Sequence, residues 1–366
     1  MSEVLIVGGG PAGLALANVL ADQNITSDIV DKLRVPQNQS RASSIQPKSF
    51  EFFRSLGLYE ALIERSIPLM GNRIYLDGIQ ISEVSFRDPK SGETTIAIEQ
   101  CTVENLLRRR LESKGISVTQ QTELTSLRNN REDSVVSLSF DGKCVERDFR
   151  VVVGCDGGKS AVRHFADIRF SGTKFVERSF VSDLVLDTDL DRRYMHYLVR
   201  EDMRLVIVPL PGEGQFKVSG CTSLRGEERP EDILEHAFRS HGFGSCRIAD
   251  IKDFDFYTIH ARVASSFVLD NIFLCGDAAH VIPPNGGQGL SLAFEDAQIL
   301  GAALARYFES GEREALRPYM ERRQVVEQKM AEASRTKARY SFDKVGKSTT
   351  STIEREQERI VAEELR

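Results

Sequence analysis

Residues 4–22 read VLIVGGGPAGLALANVLAD, and residues 27–31 read SDIVD. Four apolar residues lead into Gly8-x-Gly10-x-x-Gly13, and Leu14, Leu16, Ala17 and Leu20 then recur at helical spacing. The pattern is a strand, a tight glycine turn and a helix. Glycines at these three positions permit a sharp turn and let backbone approach a pyrophosphate, while the helix start offers free N–H groups and a positive dipole end. Pro11 suits the first helical turn, where its missing donor is not needed. Asp31 closes the second strand 18 residues after Gly13, about where an acid that hydrogen-bonds a ribose belongs. An acid there suits a free ribose hydroxyl, which favours FAD or NAD over NADP at this turn.

Composition narrows the class. The chain has 366 residues, 48 Lys plus Arg against 54 Asp plus Glu, and a net charge of −6, which disfavours nucleic acid as a partner. Six cysteines are scattered with no CxxC pair, so they read as small buried residues of a reducing compartment. No apolar run is long enough to span a bilayer, and no basic, apolar leader opens the sequence. The expectation is a cytoplasmic protein with no membrane partner, either monomer or homodimer.

Beyond residue 31 the signal alternates between classes. Pro47–Leu58 reads as a helix. Residues 73–98 alternate apolar and polar positions as antiparallel strands do, and Thr102–Lys114 returns to a helix. Short strands are expected near Ser117–Thr119, Val135–Phe140 and Phe149–Val153. Residues 168–268 are mostly strand-like, with one helical insert near Pro230–Ser240. Helices dominate after residue 286, and Glu314–Arg339 forms a long amphipathic one. The simplest architecture is an α/β nucleotide-binding domain interrupted twice by strands of a β-rich domain. The expected division is residues 1–72, 99–165 and 268–340 for the first domain, 73–98 and 166–267 for the second, and 341–366 for a polar helical tail.

Four further places in the chain carry chemistry. VVVGCDGGKSAVR holds Asp156 and Gly157 after an apolar strand. IFLCGDAAHVIPPNGGQGL, from Ile272, holds Gly276 and Asp277 and then a proline- and glycine-rich strand-to-helix junction. Arg41 and Gln100 lie between the motifs. Each residue also has a plain reading: Asp277 as a turn or cap, Asp156 as turn chemistry, Arg41 as a surface cation. His280 has no partner at metal-ligand spacing and reads as a packed or capping histidine, so no metal site is expected.

Taken in order, these motifs resemble the class A flavin-dependent monooxygenases, the para-hydroxybenzoate hydroxylase-like family, from about residue 3 to about residue 335. The resemblance implies a Rossmann-like, discontinuous FAD-binding domain of the GR2-type with an inserted β-rich substrate domain and C-terminal helices. It also implies FAD as cofactor, NADPH or NADH as transient co-substrate, and a small aromatic or polycyclic molecule plus O2 as substrates. The oxygen would be transferred through a flavin C4a-hydroperoxide. Carried over position by position, Gly8, Gly10, Pro11, Ala12 and Gly13 hold the pyrophosphate, and Asp31 with Lys32 the adenosine ribose. Arg41 and Gln100 lie along the extended cofactor. Asp156, with Gly157, helps bind FAD and shapes the nicotinamide cofactor's approach, and Asp277, with Gly276 before it, accepts hydrogen bonds from the ribityl chain. Pro284, Gly286, Gly287, Gln288, Gly289 and Leu290 pass beside the flavin ring, where glycines let main chain approach a flat ring and the helix start favours the negative charge of reduced flavin. The flavin does the chemistry, so no triad is expected. Substrate-facing candidates are Tyr194, His196, Tyr197, His260 and Arg262, and strand alternation lets only part of the set line one pocket. Two alternatives remain: a flavin reductase of the same fold acting on a double bond, and a flavin-binding protein without turnover.

Overall fold

A computed structural model describes residues 3–35, 42–130, 133–175, 178–200, 204–222, 229–283 and 288–339. A six-stranded sheet runs in the order Val268–Leu269, Ile272–Leu274, Val151–Gly154, Val4–Val7, Ser27–Val30, Val118–Thr119. All neighbours are parallel except the first pair. The central strand is apolar at every position because helices cover both faces, and Val4, Leu5 and Ile6 have no exposed surface. Each such side chain contributes roughly 1.5–3 kcal/mol of burial.

The helix Pro11–Asp22 starts with proline in its first turn and ends where Asn24 takes a left-handed φ of 57°. It packs on the helix Gln288–Ser310, where an added Cβ at Gly301 would lie 2.4 Å from Val19 Cγ1. Asn18 donates to the carbonyls of Leu14 and Leu107, and Arg110 donates to Asn18 Oδ1. This polar pin fixes the helix Gln100–Ser113 against the glycine turn's helix.

The second large sheet has seven strands, in the order Arg247–Tyr257, Arg178–Asp187, Gln215–Thr222, Arg204–Pro209, Tyr194–Val199, Gly71–Leu76, Ile79–Ser85. Its pairs are antiparallel except Tyr194–Val199 with Gly71–Leu76. The amphipathic helix Pro230–Ser240 covers one face through Ile233, Leu234, Ala237 and Phe238, which pack on Phe180, Leu184, Leu198, Leu205, Ile207, Phe216 and Val218. The architecture is therefore α/β, with a Rossmann-type parallel sheet and a separate, largely antiparallel one.

Several elements differ from the sequence reading. TTIAIE yields only the strand Ile96–Ala97, which joins Ser44–Ile45 and Ile67–Pro68 in a small sheet of its own. Pro47–Leu58 is a 3₁₀ turn at Pro47–Ser49 and a short helix at Phe50–Ser55, followed by a second helix at Tyr59–Glu64. Thr122–Asn129 and Lys143–Phe149 form strands flanking Ser134–Phe140. Lys143–Phe149 is exposed at all but its last residue and so shows no apolar alternation. In Thr122–Asn129 a register shift opposite Ser137/Leu138 puts the inward Leu124 and Leu127 three apart, which breaks the period of two. The expected tail helix lies outside the described residues.

Candidate functional site

Backbone bonds set the motif loops side by side at the carboxyl edge of the parallel sheet, where open α/β sheets bind ligands. Gly8 N donates to Val30 O at 2.8 Å, Cys155 N to Val7 O at 2.7 Å, and Cys275 N to Gly154 O at 2.9 Å. Asp31, Asp156 and Asp277 thus follow three strands of one sheet at its same end.

The three turn glycines divide the work. Gly8 has φ +112°, and a Cβ there would lie 2.3 Å from Cys155 O. A Cβ on Gly13 would lie 1.9 Å from Gly8 O, so helix and strand can meet only at glycine. A Cβ on Gly10 would meet nothing within 4 Å, so that side of the turn faces open space. Gly9 also matters: its N–H donates to Asp31 Oδ2 at 2.7 Å, and Leu33 N donates to Asp31 Oδ1 at 2.8 Å. Those bonds hold the carboxylate at the turn, with Lys32 beside it. Pro11 and Ala12 open the helix, and Ala12 packs where a Cβ on Gly276 would stand 2.8 Å away.

Gln100 accepts from Ala42 N at 3.3 Å and donates to Glu104 at 2.8 Å. Burial pushes the Glu104 carboxyl up against the lowering effect of that bond. One turn further, Arg108 donates to Gly9 O at 3.3 Å, and its Nε is buried with no partner among the described residues. Sequence reasoning passed over Arg108, since nothing in LLRRRL distinguishes one arginine from the next.

Asp156 Oδ2 accepts from Ala161 N at 2.6 Å and Val162 N at 3.2 Å, capping the turn that follows. Its Oδ1 is buried and meets no donor among the described residues, and burial raises the carboxyl above the ordinary range. Gly157 turns with φ +77°, and an added Cβ there would touch nothing. Arg163, 8 % exposed, donates to Gly158 O and Ala278 O, both at 2.8 Å, and stacks on Phe170 at 3.8 Å. It clamps the Asp156 loop to the Asp277 loop, a role invisible before folding. Gly276 turns with φ +62°, and Asp277 is an exposed residue of the 3₁₀ turn Gly276–Ala278.

His280 is the packed histidine the spacing suggests. Its Nε2 lies 2.5 Å from Asp296 Oδ2, which also accepts from Gly276 N at 3.3 Å. Arg322 donates to Asp296 Oδ1 at 2.8 Å and to Glu295 at 2.7 Å. Burial alone would raise the Asp296 carboxyl, but His280 and Arg322 outweigh it and hold it low. Gln288, Gly289 and Leu290 start the long helix, and a Cβ on Gly289 would meet nothing within 4 Å. Arg41, Pro284, Gly286 and Gly287 lie outside the described residues.

The substrate-facing candidates separate. His196 has no exposed surface and turns to the helix-covered face, with Nδ1 3.3 Å from Tyr75 Oη and Nε2 3.1 Å from Asp191 O. Burial lowers its basicity. Tyr194 is buried under the Arg73 guanidinium at 3.8 Å. Tyr197 takes the other face and packs against Leu69, Ala97, Met195 and Val208. His260 and Arg262 lie on a third sheet with Phe170–Lys174 and His280–Val281, Arg262 in register with Val281 beside the Asp277 loop. Burial, then Arg262 and Lys174, lower the His260 imidazole.

Residues 1–334 match the family model described as an FAD binding domain. The chain belongs to that family. It is 27 % identical over 320 residues to 6-methylpretetramide 4-monooxygenase of Streptomyces rimosus, covering 86 % of this chain and 57 % of that protein. It is 29 % identical over 315 residues to rifampicin monooxygenase of Streptomyces venezuelae, covering 83 % and 64 %. The chain thus spans about three fifths of the length of these relatives. The solved p-nitrophenol 4-monooxygenase of Pseudomonas putida DLL-E4 superposes with a TM-score of 0.82 at 20 % identity, over 100 % of this chain and 98 % of that one, and so shares the fold. The described residues of this FAD-binding chain fit the cofactor's chemistry: glycines whose Cβ would project into open space at Gly10, Gly157 and Gly289, an orphaned buried acceptor on Asp156 and an orphaned buried donor on Arg108.

Proposed function

We propose that this chain is a single-component monooxygenase that uses FAD, NAD(P)H and O2 to hydroxylate an aromatic or polycyclic small molecule. One observation carries the reading: Gly10, Asp31, Asp156 and Asp277 stand on adjacent loops at one sheet edge, where Gly10 faces open space and Asp156 Oδ1 is a buried acceptor without a donor among the described residues, as an elongated dinucleotide would need. The monooxygenase names of the relatives support the reaction class.

When bound, FAD supplies two-electron redox chemistry with a nicotinamide and with dioxygen. The protein's share is binding, orientation and charge. Backbone N–H groups at Gly10 and the helix start after it receive pyrophosphate oxygens, with the Arg108 guanidinium behind the turn. Asp31, held by Gly9 N and Leu33 N, accepts from the ribose. Asp156 Oδ1 would accept a hydrogen bond from a ribityl hydroxyl, with Asp277 alongside. The positive end of the helix beginning at Gln288 would favour the negative charge that the ring gains on reduction. Tyr197 and its apolar neighbours on the open face of the seven-stranded sheet order a flat substrate and exclude water.

Within this reading, residues 1–72, 99–165 and 268–340 serve the cofactor and residues 73–98 and 166–267 the substrate, in a cytoplasmic protein. The test is to supply the FAD-loaded protein with NADH or NADPH, a panel of hydroxylated arenes and ¹⁸O2. Substrate-stimulated NAD(P)H oxidation with one ¹⁸O atom in the product is expected. Oxidation with saturation of a double bond and no ¹⁸O would replace this reading with a reductase.

A further inference from the structure

The seven-stranded sheet carries a buried cation that the cofactor loops do not use. On the helix-covered face, Phe180, Leu184, Leu198, Leu205, Ile207, Phe216 and Val218 are essentially sealed. The opposite face is different: Val181, Val206, Tyr197 and Ser219 are half-buried, and they lie in register across neighbouring strands. One strand pair along, Val208, Lys217 and Asp183 form the adjacent row. Lys217 is 3 % exposed, and its ammonium donates to Asp183 Oδ1. At one end of that face Met195 and Val208 pack on Leu69 and Ala97. Ala97 belongs to the small sheet with Ser44–Ile45, and just beyond it Ser49 Oγ donates to Ser291 Oγ at 2.9 Å in the first turn of the helix that starts at Gln288. The open face is thereby tied to the end of the fold where the cofactor loops gather.

A buried ion pair rarely stabilises a fold more than apolar residues of the same volume would, so its presence on a half-open apolar face calls for another reason. An ammonium has two further N–H donors after bonding one carboxylate oxygen, and the carboxylate keeps a second oxygen. A ring hydroxyl needs that combination: a donor to its oxygen and an acceptor for its proton. Val206 and Tyr197, half-buried in the neighbouring row, supply the apolar bed for the ring.

We infer that Lys217 and Asp183 form a specificity-determining pair that takes a ring hydroxyl of the substrate, Lys217 donating to the oxygen and Asp183 accepting the proton. The inference rests on the proposed aromatic monooxygenase and deepens it by assigning the hydroxyl's recognition to these two side chains. A site built to hydrogen-bond a hydroxyl rejects the analogue that cannot donate, because its own buried groups are then left unpaired.

The experiment is calorimetric titration of the FAD-loaded protein with 4-nitrophenol and 1-naphthol, and with their methyl ethers. The wild type is expected to bind at least one phenol 10-fold or more tightly than its ether. The double variant Lys217→Met/Asp183→Leu removes both charges together and keeps the strand apolar, and it should bind phenol and ether within 2-fold of each other. Lys217→Arg should retain the preference. Equal affinity for phenol and ether in the wild type, no phenol binding, or a preference that survives in the double variant would overturn the inference. Loss of the parent reading is seen separately, as protein that retains no flavin or oxidises NAD(P)H without oxygen transfer whatever the phenol preference.

Discussion

An added Cβ at Gly13 would sit 1.9 Å from Gly8 O, whereas one at Gly10 would meet no protein atom within 4 Å. The two glycines therefore respond differently to the same substitution. Gly13→Ala forces backbone against backbone and should destabilise the fold by about 1–3 kcal/mol. Gly10 has φ −81°, which alanine tolerates, so Gly10→Ala should change stability by no more than about 0.5 kcal/mol while weakening FAD binding at least 10-fold. Thermal unfolding and flavin titration of both variants check this, and equal loss of stability at the two positions would refute the division. These residues were legible in the sequence because their requirement is local: a turn geometry and a helix start. Arg108, Arg163 and Lys217 were not. Lys217 meets its cross-strand partner Asp183, 34 residues away, only in the folded sheet, and Arg163 gains its role only when the loops at Gly158 and Ala278 meet. Strand alternation did separate Tyr197 from Tyr194 and His196, though not which face the helix would cover.

At the scale of elements, the loop from Gly276 to His280 is moored to two helices through Asp296. His280 and Gly276 N bind its Oδ2, and Arg322, from the helix Arg317–Arg339, binds its Oδ1. Asp296→Asn removes a charge that three groups depend on and should destabilise the protein by about 3–5 kcal/mol near neutral pH. The pH dependence follows from sign. The folded carboxyl is held below its ordinary value of 3.8, so the stabilisation is fully present above 3.8 and fades as pH falls further through the lowered folded value. The gap in unfolding temperature between wild type and Asp296→Asn should narrow on going from about pH 7 to about pH 3. A gap that widens with acid would contradict the assignment. The parallel strands and the helices at Pro11, Gln100 and Pro230 were readable from periodicity. The bulged strand Thr122–Asn129 and the exposed strand Lys143–Phe149 were not, because their pairing rather than their apolar pattern defines them.

For the whole molecule, the central claim is that one sheet edge gathers loops distant in sequence around a single elongated cofactor. Membership in the FAD binding domain family and the shared fold of p-nitrophenol 4-monooxygenase agree with an edge of this kind. The glycine, Asp-Gly and Gly-Asp motifs, in order, already pointed to it, while the clamp between loops and the open face of the second sheet needed the tertiary structure. The most direct measurement is a crystal structure of the protein soaked with FAD. The prediction places the pyrophosphate over Gly10 N, the adenosine ribose within hydrogen-bond distance of Asp31, a ribityl hydroxyl on Asp156 Oδ1, and the ring between the Gln288 helix start and the open face of the seven-stranded sheet. Crystals that hold no flavin at saturating FAD, or flavin bound away from the carboxyl edge of Val4–Val7 and Val151–Gly154, would contradict it.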